Sequence, residues 1–413
     1  MSSRTPDSSQ AAALDNAFEG ARSTDIPRGA ALVLRLLQRM STGTLAVSLP
    51  DGSLRVFGRG EPQANLQIAE WSVFDDALKR GDVGFAQAWI DGRWTTDSLA
   101  SLLSLFVINR REIESAIYGT WWGQLFDRLR HLFRANTRSG SRRNIHAHYD
   151  LGNEFYKLWL DPTMTYSSAL FEADAQRDLE TAQHAKNRRL LDELALGPGS
   201  RVLEIGCGWG GFAEAAVARG LSVTGLTLST EQLHFARARL AGRRGPGRAE
   251  FVLRDYRDEQ ASYDGIASVE MFEAVGERYW PVWFASLARC LKPGGRAVIQ
   301  TITIDETLFE RYRRGTDFIQ QFIFPGGMLP TCSGFERMAR EAGLQVNKTY
   351  RFGPDYARTL KIWRERFMAC LREVREQGFD EAFIRTWEFY LAYCEAAFRH
   401  GNTDVVQFTL ERR

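Results

Sequence analysis

The chain has 413 residues, too many for one ordinary core, and its 44% hydrophobic content is enough to fill two. Lys+Arg 53 against Asp+Glu 51 leaves a formal charge of +2, which excludes the global basicity of a protein that coats nucleic acid, so no nucleic-acid partner is expected. The five cysteines, Cys207, Cys290, Cys332, Cys370 and Cys394, are scattered without a C-x-x-C pair. That spacing argues against a disulfide framework or a zinc knuckle and fits a reducing cytoplasm.

Residues 1–24 are rich in Ser, Ala and Asp, carry no apolar signal-peptide segment, and read as a disordered lead. No run of about 18 apolar residues occurs, so no membrane-spanning helix is expected. Ala31 to Met40 reads as an amphipathic helix, and the alternating segments around Pro50-Asp51-Gly52 read as a hairpin. The stretches WSVFDDALKRGDVGFAQAWI and DSLASLLSLFVINR are helical, the second with Asp97 as its expected N-cap. Residues 25–118 are therefore expected to form a small N-terminal α/β domain.

Residues 119–143 form an amphipathic basic linker. Trp121, Trp122, Leu125, Phe126, Leu129, Leu132 and Phe133 recur at helical spacing, interleaved with Arg128, Arg130, Arg134, Arg138, Arg142 and Arg143. An aromatic face flanked by arginines is the pattern of a helix lying in a membrane interface; a core-packed helix with a solvated basic tail is the competing reading. His146 and His148 resemble a metal pair but lack a third ligand at convincing spacing, so no metal is assigned.

Across 144–413 strands alternate with helices, the layout of an open, mostly parallel α/β sheet. RVLEIG, LSVTGLTL, AEFVLRDY, YDGIASVEMF and GGRAVIQTIT read as strands, and DVVQFTLERR as a last one that completes the sheet. The most informative stretch is Glu204 to Gly211, EIGCGWGG, directly after a buried-strand pattern and before a helix. Gly206, Gly208 and Gly210 let the backbone turn sharply and approach a ligand. Their G-x-G-x-G spacing, with Glu204 two residues earlier, is the signature of a class I S-adenosylmethionine-dependent methyltransferase rather than of a dinucleotide binder. Two further strand ends fit the same cofactor. Thr227, Leu228, Ser229 and Gln232 offer ribose partners, and Asp255 with Tyr256 offers an acceptor and an aromatic edge for adenine.

HYDLGNEFYKLWLDPTMTYSSALF, EIGCGWGG, LTLSTEQ, RDYRD, MFEAVG, FIFPGGMLP and FGPDYARTL together resemble the cyclopropane-fatty-acyl-phospholipid synthase family, whose relatives include mycolic acid cyclopropane synthases. The resemblance implies a class I Rossmann-like sheet with a smaller N-terminal α/β domain. It also implies transfer of a methylene group from S-adenosylmethionine to the cis double bond of an unsaturated phospholipid acyl chain. A peripheral position on the cytoplasmic face of the membrane follows, with a homodimer as one possible assembly and the oligomeric state left open. By the same resemblance Tyr166, Ser167, Gly206, Gly208, Trp209, Thr227 through Gln232, Asp255 and Tyr256 contact the cofactor. Glu273, Tyr356 and the Ile302 backbone would hold a bicarbonate that removes a proton from the carbocation.

Two positions depart from the family pattern. Ser168 stands where the family has cysteine and Gln300 where it has histidine, so bicarbonate would meet a hydroxyl and an amide. An amide cannot relay a proton, which opens a methyl-branched or methylene product as the alternative to cyclopropane. Aromatic faces suited to a cation are expected among Phe171, Phe272, Tyr279, Tyr312, Phe318, Phe322 and Tyr356. A methyltransferase for a soluble acceptor and a non-catalytic lipid binder are the rival classes.

Overall fold

A computed structural model describes residues 26–113, 151–242 and 246–413. The lead, the aromatic-arginine linker and the His146/His148 pair lie outside the described residues.

The first unit holds a four-stranded sheet in the order β2-β1-β3-β4, with β1 (Gly43–Ser48), β2 (Leu54–Arg59), β3 (Gln63–Ile68) and β4 (Trp94–Thr95). β1 and β2 are the expected hairpin about Pro50-Asp51-Gly52, Gly52 supplying φ +81. Alternation in β1 turns Leu45 and Val47 inward, onto helices Arg28–Leu37 and Leu99–Ile108. The long helical stretch after β3 is two helices, Ser72–Arg80 and Asp82–Ile90, broken at Gly81, whose φ of +60 interrupts the helical backbone. The expected N-cap needs correcting. Ser98 has the extended backbone of a cap and accepts from the Ser101 amide, whereas Asp97, one residue too early, is turned toward Asn65.

The second unit is a seven-stranded sheet in the order β10-β11-β9-β8-β5-β6-β7. β5 (Arg201–Ile205), β6 (Ser222–Thr227), β7 (Arg248–Leu253), β8 (Tyr263–Val269) and β9 (Leu291–Ile304) are parallel. β11 (Thr403–Arg412) inserts antiparallel between β9 and β10 (Leu344–Arg351). In β5 every residue after Arg201 is buried, as expected of a strand covered on both faces.

The two units share one apolar core, because the C-terminal helix Glu381–Arg399 packs against helices 82–90 and 99–108 of the first unit. Trp89 Nε1 donates to the Arg385 carbonyl at 3.0 Å, and the Arg385 guanidinium donates back to the Trp89 carbonyl at 3.0 Å. The Tyr393 hydroxyl donates to Asp82 at 2.9 Å. No helix among the described residues is long and apolar enough to cross a membrane.

Candidate active site

Strand order reverses between β5 and β8, so the chain leaves these two neighbours in opposite directions and a crevice opens beyond their C-terminal ends. A cavity of about 330 Å³ lies there. The glycine turn forms one wall. Gly206 has φ +86, and a Cβ on it would sit 2.9 Å from the Met271 side chain on the turn after β8. Gly208 at φ +50 faces open space, so a ligand can approach its backbone.

Glu204 is buried on this wall, with Oε2 unpartnered. Burial pushes its carboxyl well above the usual range, against the pull of Lys186 and Arg239. Lys186 donates to Ser167 Oγ at 2.7 Å and to Gln183 Oε1 at 2.8 Å, and burial lowers its ammonium to about 8. An unpartnered carboxylate oxygen beside an approachable glycine backbone suits a ligand bearing an ammonium group, such as the methionine end of S-adenosylmethionine. At the end of β6, Thr227 Oγ1 donates to Gln232 Oε1 at 3.0 Å, with Leu228 on the wall between them. Asp255 accepts from Arg257 Nε at 2.8 Å and Nη2 at 2.5 Å, and burial raises the adjacent Tyr256 phenol. Tyr166 and Tyr390 share a hydroxyl contact of 2.7 Å, and Trp209 is fixed by its Nε1 donating to Asn153 at 2.7 Å.

The opposite wall begins where β8 ends. Glu270 takes φ +48, a conformation costing a non-glycine residue roughly 1–2 kcal/mol. Its Oε1 accepts from the Ser168 amide at 2.8 Å and from Gln300 Nε2 at 2.7 Å, and the Tyr356 phenol lines the same cavity. Gln407 Nε2 on β11 donates in turn to Gln300 Oε1 at 3.0 Å. Glu273 Oε1 accepts from the Ile302 amide at 2.5 Å and from Thr301 Oγ1 at 2.9 Å, while its Oε2 is buried without a partner. Burial first, and then the charge of Glu270, pushes the Glu273 carboxyl up to about 8, so at neutral pH it holds a proton. Burial raises the Glu270 carboxyl as well, against the opposing pull of Gln300, Lys186 and the Ser168 amide.

The structure thus gathers most of the expected residues on one cavity: Tyr166, Ser167, Glu204, Gly206, Gly208, Trp209, Thr227, Leu228, Gln232, Asp255, Tyr256, Glu273, Ile302 and Tyr356. Four stand behind the wall. Gly210 closes the turn by donating to the Cys207 carbonyl at 2.9 Å, and Ser229 caps helix Thr230–Leu240. Ser168 and Gln300 are fully buried, and the Ser168 hydroxyl donates to the Ala169 carbonyl at 3.0 Å. Of the aromatic candidates only Tyr312 and Tyr356 line the cavity. Phe272 is buried among Trp280, Trp283, Phe284 and Phe335, Phe318 stacks on Phe322, Phe171 lies under Arg358 at 3.9 Å, and Tyr279 lies near Arg257. Sequence reasoning missed Glu270, Lys186 and Tyr390, all on the cavity wall. For Glu270 a signal existed: a carboxylate directly after a buried strand, three residues before Glu273.

The fold alone is shared with coclaurine N-methyltransferase, 16% identical with a TM-score of 0.61 over 80% of this chain and 99% of that one. Mycolic acid cyclopropane synthase CmaA1, solved with SAH and CTAB, is 33% identical with a TM-score of 0.62, covering 66% of this chain and 98% of that one. Tuberculostearic acid methyltransferase UfaA1 of Mycobacterium tuberculosis is 39% identical over 94% of both chains. Cyclopropane-fatty-acyl-phospholipid synthase of Escherichia coli is 33% identical over 86% of this chain and 89% of that one. The family model described as mycolic acid cyclopropane synthetase matches residues 136–408. With that match over more than half its length and the glycine turn and carboxyl pair meeting at one switch point, the chain belongs to the S-adenosylmethionine-dependent cyclopropane synthase family, enzymes that act on lipid double bonds.

Proposed function

We propose that this enzyme alkylates the cis double bond of an unsaturated acyl chain carried by a phospholipid and forms a cyclopropane. The observation that carries this reading is a second, apolar cavity of about 230 Å³ that shares Tyr312, Asp317, Leu329 and Tyr393 with the wall of the first. Its lining comes from both units, including Val33, Leu37, Phe74, Phe85, Phe106 and Phe389, and suits a hydrocarbon chain reaching the cofactor cavity. Arg80, Arg110 and Arg311 on the same wall supply positive charge for a phosphate.

Once bound, S-adenosylmethionine supplies an electrophilic methyl group. The glycine turn and Glu204 hold its methionine end, Thr227 and Gln232 the ribose, and Asp255 with Tyr256 the adenine. An alkene is a weak nucleophile and its alkylation leaves a carbocation, so the apolar wall must exclude water that would trap the cation. The faces of Tyr166, Tyr312, Tyr356 and Tyr390 stabilise positive charge without reacting. The N-terminal unit (residues 25–118) completes the acyl cavity, and the basic segment (119–143) docks the enzyme on the membrane surface. The similarity over nearly the whole chain to a tuberculostearic acid methyltransferase favours a second reading, a methyl-branched or methylene product from the same cation.

The test is incubation of the purified enzyme with unsaturated phospholipid vesicles and methyl-trideuterated S-adenosylmethionine, followed by mass spectrometry of the acyl chains. Two retained deuteriums with no new olefin after derivatisation is the expected result. Two deuteriums with an exocyclic olefin, or three deuteriums, moves the assignment to the second reading. An unlabelled lipid fraction overturns both.

A further inference from the structure

The residues that the family resemblance assigns to a bicarbonate do not leave room for one here. Ser168 and Gln300 converge on the Glu270 carboxylate, through a backbone amide at 2.8 Å and a side-chain NH₂ at 2.7 Å, with the Tyr356 phenol on the same cavity wall. Two further members bond each other, the Ile302 amide donating to Glu273. An anion placed there would have to displace Glu270 from the Ser168 amide and the Gln300 side chain, and would lie beside the Glu270 charge. Glu270 itself lines the cavity. Its backbone is held at φ +48, which carries the side chain from the end of β8 toward the two departing positions.

We infer that Glu270 is the catalytic base of this enzyme, taking the place of a bound bicarbonate. The inference rests on the lipid reading proposed above. The step balances within the site. After the methyl carbon has bonded to one alkene carbon, the neighbouring carbon is cationic. Glu270 removes one proton from the transferred methyl group, and the freed C–H electron pair forms the bond from that carbon to the cationic one. Glu270 becomes a carboxylic acid and releases its proton before the next turnover. The departure at 300 then has a physical sense: Gln300 does not need to relay a proton, because its side chain serves to orient a carboxylate that does. Burial raises the Glu270 carboxyl above its usual range and so strengthens it as a base.

Glu270→Gly is the informative variant, because glycine adopts φ +48 freely and the backbone stays in place. Wild type and variant are assayed on vesicles in buffer scrubbed of carbon dioxide, with and without added bicarbonate, reading S-adenosylhomocysteine release and labelled lipid together. Wild type should be indifferent to bicarbonate within about twofold. The variant should lose labelled product by roughly 100-fold or more while still binding S-adenosylhomocysteine, and added bicarbonate should restore part of the activity. A wild type that stops when bicarbonate is removed, or a variant that keeps wild-type turnover without it, overturns the role of Glu270 alone. A wild type that releases no S-adenosylhomocysteine with lipid sinks the lipid reading and this inference with it.

Discussion

The turns after β5 and β8 face each other across the switch point, and each places a carboxylate at the end of a buried strand, Glu204 in one and Glu270 in the other. They are built on opposite plans. The first is local: three glycines with positive φ within five residues shape it, closed by a bond from Gly210 to Cys207. The second is assembled from distant chain, since Glu270 is held by residues 168 and 300, with 407 behind them. A local turn can be broken by one backbone change. An assembled one fails through the loss of any partner, and each partner can be tested with the cofactor wall intact.

The largest effect is expected at the local turn. Gly206→Val places a branched side chain at φ +86 and against Met271 at 2.9 Å, an arrangement costing on the order of 3 kcal/mol. Cofactor affinity measured by calorimetry should fall about 100-fold, and an unchanged affinity would mean that the turn does not approach the ligand.

The next effect concerns pH. Burial and the Glu270 charge raise Glu273 from 4.5 to about 8 in the folded protein. The native state therefore keeps a proton that the unfolded chain has released. The contribution to stability is full below pH 4.5 and is lost as pH rises through about 8. Glu273→Gln should flatten the fall in unfolding free energy over that window by an amount on the order of a few kcal/mol, read from urea titrations at about pH 5 and about pH 8.5. A slope identical to wild type would place the pH dependence elsewhere.

Gln300→Leu sharpens the contrast between the walls. It strips one donor from Glu270 and leaves Gln407 Nε2 buried without its acceptor, a loss of about 1–3 kcal/mol of stability. Turnover should drop about tenfold with cofactor affinity unchanged, and a parallel loss of both would show that the walls are not independent.

The smallest effect is far from either turn. Ser98→Ala removes the cap of helix Leu99–Ile108 and should cost about 1 kcal/mol in thermal unfolding, with no change in turnover. Asp97→Ala should cost less, and the reverse order would restore Asp97 as the cap.

Much of this was legible in the chain itself. Strand order could not be read directly, yet β5 through β9 follow buried or alternating apolar runs, and the hairpin at Pro50-Asp51-Gly52 needs only its glycine. The glycine turn was visible because its chemistry is contiguous. The aromatic candidates fared worse, because periodicity and composition do not say which face of a ring meets a cavity. Phe272 and Phe318 are as apolar as any cation-stabilising residue, but the fold turns them into cores. Ser168 and Gln300 could be recognised as departures, while the direction of their side chains could not.

Sequence alone determined the sheet class, the glycine turn and the family, because each rests on short-range backbone preferences and on patterns that repeat within a few residues. Only the tertiary structure decided that the helix Glu381–Arg399 joins both units around one core, and that Glu270 stands at the meeting point of donors from two separate segments. Hydrogen bonds between residues more than a hundred positions apart depend on strand order and side-chain direction, and neither is encoded in local spacing.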